Sequence, residues 1–153
     1  MGSQRLGVMG QVALAVGAVT LIVCVLRLGG RGDIAFCREV FTGLANGKTS
    51  VRSAIDWEHL NAINVDVGAT YQQLPQGEDR SRYQEVFIQN FSAAFQRAGG
   101  RPSAFRRWRV SAHQGGRTVV AADYPAKQKT LLFTVSTASG RHIEAIQWGA
   151  DGR

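Results

Sequence analysis

The groups that could carry chemistry are few: three histidines, 11 carboxylates and two cysteines in 153 residues. The densest set is Asp56, Glu58 and His59, with His113 and Asp123 further along the chain. A histidine titrates near neutral pH, and a neighbouring carboxylate can orient it, which is what a general acid–base pair requires. His59, His113 and Asp123 are therefore the catalytic candidates. Simpler roles compete with that reading. Asp56 suits a helix cap, Glu58 a first turn, and the two histidines solvated faces. No His-x-His or His-x3-His spacing occurs, and two cysteines alone cannot supply a cysteine-based zinc site. Neither a phosphate-binding loop, a dinucleotide glycine fingerprint nor a serine nucleophile elbow is present, so no metal and no cofactor is expected.

A second constellation is basic. Arg97, Arg101, Arg106, Arg107 and Arg109 cluster around Trp108. Arginines contact phosphates and an aromatic ring stacks on bases, so in the cytosol such a set would suggest nucleic acid. Outside the cytoplasm its partners would be lipid headgroups, anionic cell-wall polymers or an acidic protein surface. Arg106, Arg107, Trp108 and Arg109 are the binding candidates, against the plain alternative of a solvated helix end and strand start.

Which compartment applies depends on the N-terminus. Leu6 to Leu26 is a run of 21 residues with no charge, bracketed by Arg5 and by Arg27 and Arg31. A bilayer-spanning helix needs about 20 such residues, whereas the apolar region of a cleaved signal peptide has about 7–15. Leu21-Ile22-Val23-Cys24 resembles a lipoprotein box, but Val23 is branched where a small residue is needed. The run is read as an uncleaved anchor in the lipid bilayer, residues 1–28, followed by a linker over 29–33. Flanking charge alone leans against an N-in orientation, with Arg5 and the α-amino group facing Arg27 and Arg31. Long downstream domains nevertheless translocate largely regardless of charge. The expectation is a single-pass protein of the cell membrane with its C-terminal domain outside the cytoplasm.

The remaining chain, a domain over 34–149 and a tail over 150–153, holds every carboxylate but Asp33 and all but three of the basic residues. Phe36, Val40, Phe41 and Leu44 make one helical stripe, stopped at Asn46-Gly47. Cys37 lies on that stripe and is expected to be buried. Ser50 opens a short turn with Val51, Ala54 and Ile55 inward. Asp56 is placed to cap a helix over Trp57–Ile63, and Gly68–Leu74 forms another turn. Tyr83, Phe87, Phe91, Ala94, Phe95 and Ala98 recur every three or four residues, predicting a long helix over Glu78–Ala98 closed by Gly99-Gly100.

After Pro102 the period falls to two. Strands are expected over 105–114, 118–124, 130–137 and 142–149, with glycine- and proline-bearing turns between them. On the first strand Trp108, Val110 and Ala112 alternate with Arg107, Arg109, Ser111 and His113, one face apolar and the other wet. Helices followed by consecutive strands predict an α+β fold, with helices packed on one face of a curved antiparallel sheet of three to four strands.

An anchor, short helices, a long amphipathic helix and then an antiparallel meander resemble the α+β roll of the nuclear transport factor 2-like superfamily. Phe41-Thr-Gly-Leu-Ala-Asn-Gly47, followed by a short helix from Ser50, is similar to the opening of many bacterial members. The resemblance covers about Ile34 to Gly149. It implies a conical interior that serves either pocket enzymes or assembly modules, and the membrane-anchored bacterial members often belong to envelope or secretion assemblies. The expected function is a non-catalytic interaction or assembly module of a bacterial cell envelope, with a protein partner or self-association. The alternatives are a small isomerase- or hydrolase-like enzyme using a His–carboxylate pair, and a binder of anionic polymer or headgroups through the Arg cluster. Nucleic acid is not an expected partner. Phe87, Phe91 and Trp148 are the side chains that either fill that interior or line it.

Overall fold

The structure, a computed structural model, describes residues 31–149. The apolar run Leu6–Leu26, and with it the anchor and the tail, lie outside the described residues, among which no helix is long and apolar enough to cross a membrane. A compact unit begins at Asp33. Residues 31–45 form helix α1. A 3-10 turn follows at Thr49–Ala54, then two short strands, β1 (Asn61–Ala62) and β2 (Val65–Asp66). Helices α2 (Val67–Gln73) and α3 (Glu78–Arg97) precede strands β3 (Arg106–Gln114), β4 (Arg117–Tyr124), β5 (Lys129–Ser136) and β6 (His142–Trp148). The fold is α+β.

The sheet has six strands in the order β2-β1-β6-β5-β4-β3, where three to four were expected. Its four long strands are the anticipated antiparallel meander. The extra pair arises where a helix over Trp57–Ile63 was expected. Residues 57–59 are a turn instead, and Asn61–Ala62 runs parallel to Ala145–Ile146 of β6. Ile63 and Asn64 both take positive φ, 50° and 66°, the signature of a two-residue primed turn, and return the chain as β2. The backbone N–H groups of Asp56 and Ile63 find carbonyls on β6, at Ile143 and Ile146, so tertiary pairing overrides local helical spacing. Asp56 caps no helix. The cap belongs to Asp66, whose carboxylate accepts the Ala69 amide at 2.9 Å and starts α2.

The linker expected over 29–33 also differs at its end. Residues 31–33 are helical, and the buried Asp33 carboxylate accepts a 2.7 Å hydrogen bond from Arg141, between β5 and β6.

The core lies where α1 meets the meander. Val40, Phe41, Leu44 and Cys37 are buried, as are Val120, Ala122, Leu131, Phe133, Val135, Ile143 and Ile146 of the strands. Phe41 meets Phe133, Phe105 and Phe95 edge-on at 5.5, 4.8 and 5.5 Å, a geometry that adds to simple burial. Burial beside Asp33 pushes the Cys37 thiol up to about 12.

Helix α3 closes the end of α1 with its side chains. Gln89 donates to the Gly47 carbonyl, and Ser92 and Gln96 donate to that of Ala45, satisfying acceptors that a helix terminus leaves open. On the other flank of α3, Tyr83, Phe87, Phe91 and Phe95 are half-buried. Phe87 packs on Trp57 at 5.6 Å, and Phe91 stacks on Phe95. Trp148 is not interior: 37% exposed, it stacks at the rim beside Phe105 and Tyr124.

Candidate functional site

The start of β3 is irregular, and the irregularity places its arginines. Pro102–Ala104 makes a 3-10 turn that delivers Phe105 into the core against Tyr124, with ring centres 4.8 Å apart. Between Arg106 and Arg109 the register with β4 shifts by one residue, and Arg107 takes a left-handed φ of 49°. Such a bulge bends the strand and re-aims its side chains. Asp123 of β4 holds it. Its carboxylate contacts Arg107 and Arg109 at 2.9 Å each and accepts the Thr130 hydroxyl at 3.0 Å. The hydrogen bond from Arg109, with that from Thr130 and the charge of both guanidinium groups, holds the Asp123 carboxyl below the usual carboxylate range. Arg109 also donates to the Arg107 carbonyl at 3.1 Å.

A second register shift, between Val110 and Ala112, breaks the expected alternation. Ala112 lands opposite Val119, and His113 lands opposite Thr118, whose hydroxyl lies 3.1 Å from its Nδ1. Ala112 is consequently exposed rather than apolar-facing.

The arginines and Trp108 face α1 across a cleft of about 620 Å³. Helix α1 contributes Arg38 and Thr42, spaced by four and so on one flank of the helix, and Asn46 continues that flank just past its end. Ser103, Arg106, Arg107 and Trp108 line the other side. The Arg38 guanidinium sits 5.6 Å from the Trp108 ring centre, within cation–π range. The Trp108 indole N–H donates to the Phe105 carbonyl, which fixes the ring. Among the described residues neither Arg38 nor Arg106 has a carboxylate partner, whereas Arg107 shares Asp123. The site thus offers two uncompensated guanidinium groups beside an apolar wall, which is chemistry for a carboxylate or phosphate attached to something planar or apolar.

Of the binding candidates, Arg106, Arg107 and Trp108 line this cleft, and Arg109 does not; it is a strut for the bulge. Arg97 donates to the Ala93 carbonyl of its own helix, and neither it nor Arg101 lines the cleft. Arg38 escaped the sequence reading. Its only signal was the polar Arg38–Thr42–Asn46 spacing beside the apolar stripe of α1.

The catalytic candidates each have separate partners. His59 is exposed, its Nδ1 2.9 Å from Asp56, and that hydrogen bond and charge, with Glu144 and Glu58 beyond, raise its pKa. His113 pairs with Thr118, and Asp123 with arginines. Glu58 lies 3.6 Å from Arg80. Among the described residues no group of three or more His, Cys, Asp or Glu is placed to hold a metal ion. Compared with family models, with curated proteins and with solved structures, the chain matches none.

Proposed function

We propose that this chain is a non-catalytic interaction module of a bacterial cell envelope, anchored in the membrane by Leu6–Leu26 and displaying its α+β domain outside the cytoplasm. Its recognition site is the cleft of Arg38, Arg106, Arg107 and Trp108, which takes an acidic partner. The observation that carries this reading is the convergence of two arginines without carboxylate partners on a fixed tryptophan, from elements 68 residues apart in the chain. Anchoring rests on the uncharged apolar run. The analogy to the nuclear transport factor 2-like roll rests on element order: short helices, the long α3, then the meander on whose inner face α1 packs.

The test is photo-crosslinking in cells producing the full chain with a benzophenone amino acid at Ser103, inside the cleft, or at Arg82, an exposed position on α3. Adducts are expected in the membrane fraction from position 103 and not from 82. They should disappear in the Arg38→Glu/Arg106→Glu variant, while continued protection of Cys37 from iodoacetamide reports an intact fold. Adducts that survive the double charge reversal, or that form only at 82, would sink this reading.

A further inference from the structure

The Arg cleft does not end at Arg38. A second cleft of about 430 Å³ lies against the same helix, and it shares Arg38 and Thr42 with the first. Its own contributions include Glu39, Lys48 and Ser50. The two adjoin at Arg38 and Thr42 on the exposed flank of α1, and together they are the trough, one arm toward the β3 arginines and the other toward the 3-10 turn. From Arg38 to Ala45 at its end the helix rises about 10 Å, the span of about three extended residues at roughly 3.3 Å each. Resting on the cleft reading above, we infer that the occupant is an extended acidic peptide segment of a partner protein, with acidic and aromatic side chains in alternation.

The lining favours a peptide over a uniform polyanion. Positive groups stand at intervals, with Arg106 at one end, Arg38 central and Lys48 at the other. Between them lie Thr42, Asn46 and Ser50, neutral groups that can bond a peptide backbone. Trp108 presents apolar surface, which has no match on a phosphodiester or polyphosphate chain. Glu39 sits within the trough and would repel a charge carried at every repeat. A peptide can set its carboxylates on Arg38, Arg106 and Lys48 and leave a neutral residue opposite Glu39.

The probes are two fluorescein-labelled nonapeptides of equal charge, one alternating Glu with Tyr and one Glu with Ser, and an inorganic polyphosphate of similar length. Binding is read by fluorescence anisotropy, or by competition for polyphosphate, on the full chain in detergent micelles. The Glu–Tyr peptide should bind about tenfold more tightly than the Glu–Ser peptide, because only the former can use Trp108. Arg106→Glu should weaken it about tenfold and Lys48→Glu severalfold, by reversing a complementary charge. Arg82→Glu makes the same change in net charge outside the trough and should stay within twofold. Equal affinity of the two peptides, or tighter binding of polyphosphate, overturns the peptide inference while leaving the cleft standing if Arg106→Glu still weakens every probe. Unchanged affinity in Lys48→Glu removes the second half of the trough. Unchanged affinity for all probes in Arg38→Glu/Arg106→Glu removes the cleft itself.

Discussion

Asp123 accepts three side-chain contacts from a position that is only 9% exposed, and the shape of the site depends on it. Without it, Arg107 and Arg109 would repel each other across a bulge that already holds Arg107 at positive φ. Asp123→Asn should destabilise the domain by about 2 kcal/mol, the scale of lost hydrogen bonds to a charged group, discounted because both arginines are half exposed or more. The pH dependence has a definite sign. A carboxylate whose folded pKa is depressed stabilises above its unfolded value of about 3.9, and that contribution fades as pH falls through the lower folded value. Urea melts should therefore show a full gap between wild type and Asp123→Asn at pH 6, closing below about pH 4. A gap that persists unchanged at pH 2 would remove the ion pairs as its cause. The residue pattern alone marked Asp123 as a possible catalyst, because a sequence does not show which charges a carboxylate will meet across a sheet.

Among the elements, α1 carries most of the architecture. One stripe enters the core, an adjoining flank lines the trough, and its C-terminal carbonyls are closed by α3. Its approach to the 3-10 turn depends on Gly43, where an added Cβ would lie 2.2 Å from Val51 Cγ1. Gly43→Ala should cost about 1–3 kcal/mol, as overpacking does, and Val51→Ala about 2 kcal/mol by leaving a cavity. The double variant should cost clearly less than the two together, since each relieves the other. Strict additivity in thermal melts would mean that α1 and the turn do not touch there. Periodicity made α3, the four long strands and the C-terminal end of α1 legible to within a residue or two. It failed over residues 57–66, where Ile63 adopts a conformation that a β-branched side chain disfavours, because β6 offers backbone partners only in the folded molecule.

At the scale of the molecule, the first turn of the domain is tied to the connection between β5 and β6. Asp33 and Arg141 are 108 residues apart, and the carboxylate is buried while its partner is half exposed. Arg141→Met would leave that charge buried and without its partner, at a cost of about 2–3 kcal/mol, and Asp33→Asn/Arg141→Met should recover part of it. If the single variant melts at the wild-type temperature, the pair contributes nothing and the domain's entry is held by α1 packing alone.

What the sequence by itself determined follows from short-range periodicity: the uncharged 21-residue run, helices followed by strands, the burial of Cys37, and the presence of a basic cluster around Trp108. Tertiary structure alone decided which of those charges are spent. Arg109 and part of Arg107 go to Asp123, which lies 14 residues or more away, while Arg38 joins Arg106 from a helix that no local pattern links to β3. Hydrophobic spacing reports which face of an element turns inward, since that depends on near neighbours along the chain. It is silent on which charged groups meet, because opposing guanidinium and carboxylate groups are brought within 3 Å only by the packing of whole elements.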